Sequence, residues 1–197
     1  MREYIMITER DFKEYKEYRE ALKENFEGRY SSGVLEKLIV LFGEANTGKT
    51  SSLKQLAIHL GMPQMSIMPK DIRIILHPTI HNQVKNVFLS TFGDSVRDVI
   101  NNIHFFNMVN PSGFKVFEVI DGKIEKIETI EQKPDICIGA SRVEEMHWNL
   151  YELFTQAIEP KIPKPFMFRK NSTKPKPQKG TLSLDDEKVI KSILNVL

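Results

Sequence analysis

Apolar residues fall into stretches with two distinct periods, and the alternation of those stretches sets the expected architecture. Over residues 8–26, Phe12, Tyr15, Leu22 and Phe26 share one stripe while Lys and Glu cover the rest, which predicts an amphipathic helix. Thr8 caps its start, with Asp11 three residues on in a weak capping-box arrangement. A loop follows between Gly28 and Gly33. The run Leu38-Ile39-Val40-Leu41-Phe42 is short, continuously apolar and ends on glycine, as a strand buried on both faces does. From Lys49 to Leu60 a helix is expected, with Leu53, Leu56, Ala57 and Leu60 inward and Gly61 ending it.

Strands follow at Asp71–Leu76 and Asn86–Thr91, separated by a polar stretch with Pro78 that reads as a hairpin or broad loop. Ser95 to about Phe106 is helical through Val96, Val99, Ile100 and Ile103. Phe114–Ile120 and Lys123–Ile130 flank Asp121-Gly122, a strong two-residue hairpin signal. Asp135–Ala140 reads as another buried strand, and Val143–Ile158 as a helix through Val143, Met146, Leu150, Leu153, Phe154 and Ile158. Residues 160–181 hold five of the ten prolines, which excludes a continuous helix or a central strand and predicts an extended strap. A short helix, Ser183–Leu197, closes the chain, with Ser183 as cap and Asp185, Asp186 and Glu187 in its first turn. The expected fold is α/β: a mostly parallel sheet with helices on both faces in three layers, an inserted β-hairpin and helical extensions at both ends. The expected division is a helical extension at 1–33, a central domain at 34–159, the strap at 160–181 and a C-terminal helix at 182–197.

Composition narrows the class. Hydrophobic residues make up 41% of the 197 and charged residues 27%, ordinary values for a chain with a real core. No window approaches 18 consecutive apolar residues, so no membrane span is expected. The N-terminus lacks a continuous apolar leader, and the single cysteine, Cys137, cannot form an internal disulfide; together these predict a cytoplasmic location. The net charge of +2 hides an asymmetry, because residues 160–181 carry seven basic residues and no acid. Without that strap the body stands at −5, so the overall charge is no argument for nucleic acid.

One motif carries chemistry. Gly43-Glu44-Ala45-Asn46-Thr47-Gly48-Lys49-Thr50 fits G-x-x-x-x-G-K-[ST] at every fixed position, with a buried strand before it and an amphipathic helix after it. Glycines let such a loop turn its N–H groups inward, and the helix that follows adds unpaired donors and the positive end of its dipole. That concavity suits a di- or triphosphate. Lys49 is placed for the β- and γ-phosphates, Thr50 for Mg²⁺, and Ser51 for the first turn of the same cradle.

On these residues the sequence resembles the P-loop NTPase superfamily, and the likeness extends past the loop. Phe88-Leu89-Ser90-Thr91-Phe92-Gly93-Asp94 is similar to a strand ending in a Gly-Asp pair, and Asp135-Ile136-Cys137-Ile138-Gly139-Ala140-Ser141-Arg142 to a later strand with Ser-Arg at its tip. Small ATP-binding proteins of nucleotide-kinase-like type show this order, and the resemblance covers roughly residues 38–158. It implies a P-loop-type domain with ATP and Mg²⁺ as ligands. It also implies Asp94 as the acid that organises the metal with Thr50, and Arg142 as a charge-neutralising group on the transferred phosphoryl. The structural alternative for Asp94 is a cap on the helix at Ser95, and for Arg142 a surface pair with Glu144 or Glu145. The family's usual four apolar residues followed by Asp-Glu are absent, which argues against efficient hydrolysis by water but leaves nucleotide binding untouched.

Other candidates carry less. Val116–Asp121 resembles a second acid-ended strand, but Asp121-Gly122 is better explained as a hairpin turn. His77 and His81 are separated by Pro78 and Thr79, which disfavours a shared helical face and a metal site. His59, His104 and His147 are scattered packing or surface residues, and Cys137 reads as inert core. Trp148 and Tyr151 read as packing under the strap rather than as a base platform. The strap, with Phe166, Met167 and Phe168 between basic residues, reads as an arm across the acidic body; its alternative is a nucleic acid or an acidic protein as partner. The function expected is Mg²⁺-dependent binding of a nucleoside triphosphate, ATP rather than GTP because no N/T-K-x-D motif follows. Phosphoryl transfer or hydrolysis through Lys49, Asp94 and Arg142 is the expected reaction. A small-molecule kinase with Arg142, Arg169 and Lys170 as lid candidates, an oligomerising switch, and a slow nucleotide-dependent binding module are the alternatives.

Overall fold

Lys37–Phe42 forms β1, the strand on which the rest is organised. A computed structural model of the chain describes residues 35–64, 69–109, 114–143, 145–156, 164–171 and 184–197. The helix expected at 8–26, the loop after it and most of the strap lie outside these residues. On one side β1 pairs in parallel with β8 (Ile136–Ser141), and on the other with β9 (Phe166–Arg169). Beyond β8, β5 (Val87–Ser90) is also parallel, so four adjacent strands run the same way. Such strands need no polar alternation, and all of Val87–Ser90 and Ile136–Ser141 is buried.

The next strand breaks the parallel order. β2 (Arg73–Leu76) pairs antiparallel with β5, β6 (Val116–Ile120) runs parallel to β2, and β7 (Lys123–Ile127) returns antiparallel along β6. The sheet order is β7-β6-β2-β5-β8-β1-β9. The sheet is thus mostly parallel around β1 but not throughout. The reason lies in the connection of residues 77–86, which holds only the ribbon β3 (Thr79–Ile80) and β4 (Gln83–Val84) and is too short for a crossover. His81 and Asn82 turn that ribbon with φ of 49° and 63°, and Asp121 and Gly122 turn β6 into β7 with 49° and 73°. β2 therefore starts at the edge of the sheet where β1, β5 and β8 finish.

Helices cover both faces. Leu38 and Val40 of β1 point to a core shared with α2 (Val96–Phe106) and α3 (Glu145–Gln156). Ile39 and Leu41 point to a second core shared with α1 (Lys49–His59) and α4 (Leu184–Leu194). Each fully buried aliphatic side chain in these cores contributes about 1.5–3 kcal/mol of transfer free energy. Among the described residues no helix is long and apolar enough to cross a membrane.

Two expectations need correction. The strap is no mere linker, because its Phe166–Arg169 adds the edge strand β9; prolines are tolerated just before such a strand. Val143 lies ahead of α3 and is 36% exposed rather than part of its inward stripe.

Candidate functional site

Where β1 ends at Phe42 the chain turns through residues 43–48 into α1. Asn46 and Gly48 hold φ of 60° and 92°, so the backbone curls rather than extends. Gly43 N–H donates to Ser141 O at 3.2 Å; among the described residues no backbone acceptor pairs with the amides of residues 44–51. N–H groups without a backbone partner at a helix N-terminus, on a curled loop, are donors of the kind that bind anions. Thr47 Oγ1 braces the turn by donating to Glu44 O at 2.9 Å. Gly43 admits no side chain, because a Cβ there would lie 2.5 Å from Lys170 O and 2.9 Å from Thr47 Oγ1. Glu44, Ala45 and Asn46 are exposed at the crest, as is Ser51 in the first turn of α1.

Lys49 is buried, and its Nζ donates to Gly43 O at 2.9 Å and Glu44 O at 2.8 Å, folded back over the loop. Asp94 Oδ1 stands 3.9 Å from the same nitrogen. Burial lowers the pKa of the Lys49 ammonium from the ordinary 10.5; Asp94 opposes that shift and Arg142 adds to it. The tips of β1, β5 and β8 thus bring Lys49, Asp94 and Arg142 into one electrostatic neighbourhood.

The sequence pattern gave no sign of Asp71. Thr50 Oγ1 donates to Asp71 Oδ1 at 3.1 Å, and Thr91 Oγ1 donates to the same oxygen at 3.3 Å. Thr91 also accepts from Ile72 N at 2.9 Å, which locks the start of β2 to the end of β5. Asp71 precedes β2, which runs antiparallel to β5, so it lies at the same end of the sheet as Thr91. Only the direction of β2 puts Asp71 there, and direction is not a property of an isolated apolar run.

Gly93 delivers Asp94. A Cβ at Gly93 would lie 2.4 Å from both the carbonyl carbon and oxygen of Ala140, so only glycine lets this segment cross so close to β8. Asp94 does not cap α2. The cap is Ser95, which accepts from Asp98 N at 3.1 Å while its own N–H donates to Asp98 Oδ2 at 3.1 Å. The Asp94 side chain is 63% exposed. Arg142 is half-buried and its N–H donates to His147 Nδ1 at 3.2 Å; the side chains of Glu144 and Glu145 lie outside the described residues.

Below the site a buried polar network fixes the strand tips. Tyr151 OH donates to Ala140 O at 3.0 Å and accepts from Asn102 Nδ2 at 3.2 Å, while Asn102 Oδ1 accepts from Ser90 Oγ at 2.5 Å. Burial raises the Tyr151 phenol pKa well above its ordinary value, so it stays protonated. Arg73, buried between the rings of Phe92 and Phe114 at 4.0 and 4.5 Å, has a pKa lowered to about 10 by that burial.

The remaining candidates resolve as structure. Asp121 sits in the β6–β7 turn. His77 lies past β2 with Nδ1 on Asn86 Oδ1 at 3.0 Å and Nε2 on Glu118 Oε1 at 2.9 Å, and His81 lies in the ribbon turn. Cys137 is buried, and burial raises its thiol pKa. Trp148 packs edge-on against Phe42 at 4.9 Å. Lys170 is no lid residue: its side chain is fully buried and paired with Asp185 at 2.7 Å and Asp186 at 3.1 Å. Among the described residues no three His, Cys, Asp or Glu side chains are grouped to hold a metal ion by themselves. No family model, no curated protein and no solved structure matches the chain.

Proposed function

We propose that residues 43–50 bind the polyphosphate of a nucleoside triphosphate, ATP in preference to GTP, together with Mg²⁺, and that the protein transfers the terminal phosphoryl group. The observation that carries this is the set of unpaired amides at residues 44–51 around a curled loop, with a buried lysine at its centre. Loop amides and the first N–H groups of a helix are donors that a bound phosphate can take up, and the buried ammonium beside them adds its charge.

The residues present also suit the metal. Mg²⁺ favours hard oxygen ligands and is usually held by one or two carboxylates plus substrate phosphates rather than by an all-protein cage. Thr50, its hydroxyl held by Asp71, offers such an oxygen at the loop, and Asp94, 3.9 Å from Lys49, stands as a further carboxylate. Bound there, the ion would neutralise charge on the phosphate oxygens. Lys49 would leave the loop carbonyls for the anion, Arg142 would add charge from the β8 tip, and Asp71 would hold the Thr50 hydroxyl in place.

The acceptor is decided by product. Purified protein is incubated with terminally labelled ATP and Mg²⁺ alone, with a nucleoside panel, and with single-stranded DNA. Label on a nucleoside supports a kinase, DNA-stimulated phosphate release supports a switch, and tight binding without either product supports a binding module. Absence of ATP binding in every arm contradicts the proposal, and binding with neither labelled product nor phosphate release contradicts its transfer half.

A further inference from the structure

Lys170 is buried to a degree that lysine rarely reaches, with 0% of its side chain exposed. It lies just past β9 and touches the loop at both ends. Its N–H donates to Phe42 O at 2.7 Å, and its carbonyl oxygen is the atom that a Cβ on Gly43 would strike. At the other end, its Cε and Asp186 Oδ1 each lie 3.8 Å from where a Cβ on Gly48 would stand. Nζ pairs with Asp185 Oδ2 at 2.7 Å and Asp186 Oδ1 at 3.1 Å, and Asp186 accepts a hydrogen bond from Ser52 Oγ on α1.

A hydrophobic contact would fasten a sheet edge to a helix at less cost than three partly or fully desolvated charges. What charges add is a field, and in a half-dry setting a field reaches across one layer of backbone. The layer in question is the loop with the unpaired amides. We propose that Lys170 shields the polyphosphate site from Asp185 and Asp186 of α4, acting behind the loop backbone without touching the anion. These three groups sum to −1, so the ammonium sets how much of the two carboxylates' repulsion the anion feels. The proposal rests on the phosphate reading of residues 43–50. It makes the C-terminal helix part of the site, since anion and helix draw on the same ammonium. By reciprocity, whatever loosens α4 changes the affinity for the anion.

The test uses the full chain and tripolyphosphate as probe, with calorimetric affinities for the wild type, Lys170→Met, Lys170→Arg and Asp185→Asn, and thermal melts of each. Asp185 is chosen because it is the more exposed of the two carboxylates, at 26% against 7%. Lys170→Met should weaken binding about tenfold, because two carboxylates are left beside the anion. Lys170→Arg should restore most of the affinity. Asp185→Asn should strengthen binding about threefold while lowering the melting temperature. A merely structural fastener cannot give that pattern, since losing either partner would weaken binding or leave it alone. If Lys170→Met does not fold, the sign of the Asp185→Asn change decides: tighter binding supports the proposal, and weaker or unchanged binding overturns it. A wild type that binds no tripolyphosphate overturns both this proposal and the phosphate reading. A wild type that binds, and loses binding on Lys49→Ala, while Asp185→Asn fails to strengthen it, overturns this proposal alone.

Discussion

Asp71→Asn separates the metal-organising role from a merely structural one. The substitution keeps the size of the side chain and one carbonyl oxygen, so the hydrogen bonds from Thr50 at 3.1 Å and Thr91 at 3.3 Å survive with a neutral acceptor. Bonds to a charged acceptor contribute about 1.5–3 kcal/mol and neutral ones about 0.5–1.5, so roughly 1 kcal/mol of stability is lost. For a chain of this size that lowers the melting temperature by about 2–4 °C. The functional effect is larger. Groups that orient a metal ligand are worth about 10- to 100-fold in metal affinity, and Asp71 holds the hydroxyl that Mg²⁺ would meet. In a titration of Mg²⁺ at fixed ATP, the midpoint for nucleotide binding or turnover should rise by that factor in Asp71→Asn. Asp94→Asn should move it less, since Asp94 is 63% exposed and faces Lys49 rather than Thr50. An unmoved midpoint in Asp71→Asn beside a large shift in Asp94→Asn would refute the assignment.

Two further outcomes follow from the geometry. The folded-state pKa of Lys49 is lowered from 10.5, chiefly by burial, so between the lowered value and 10.5 the unfolded chain holds more protons than the folded one. In that window this group's contribution makes stability rise with pH, whereas polyphosphate affinity falls because the anion requires the ammonium. Calorimetry from neutral pH up to 10.5 should show the fall in the wild type and a flat profile in Lys49→Arg; the same fall in both would count against Lys49. Gly93→Ala forces a Cβ to 2.4 Å from backbone atoms of Ala140, which cannot retreat as a side chain could. Chemical denaturation should show a loss of about 1–3 kcal/mol together with weaker nucleotide binding as Asp94 moves; unchanged stability would mean that the crossing is looser than described.

The sequence made the centre of the molecule legible and left its margins obscure, for physical reasons. β1, the loop and α1 announce themselves because an apolar run, a fixed glycine spacing and a helical stripe agree over consecutive residues. The turn at Asp121-Gly122 is equally local, and both residues take the positive φ such a turn requires. Asp71 was hidden because its place depends on β2 running backwards, which follows from the shortness of residues 77–86 rather than from any motif. β9 was hidden because its four residues sit in a proline-rich, basic segment, and parallel pairing to β1 is a long-range event. By sequence Lys170 reads as a lid candidate in a basic segment. Only the docking of α4 supplies the two carboxylates that make its burial tolerable.

The most direct test of the phosphate site is a calorimetric titration of the 197-residue chain with tripolyphosphate and with Mg²⁺–ATP, in the wild type and in Lys49→Ala. Saturable binding of both ligands is expected in the wild type, with affinity falling roughly thirtyfold or more in the variant while its melting curve shows it folded. Full affinity retained without Lys49, or a wild type that takes up neither ligand, would contradict the account.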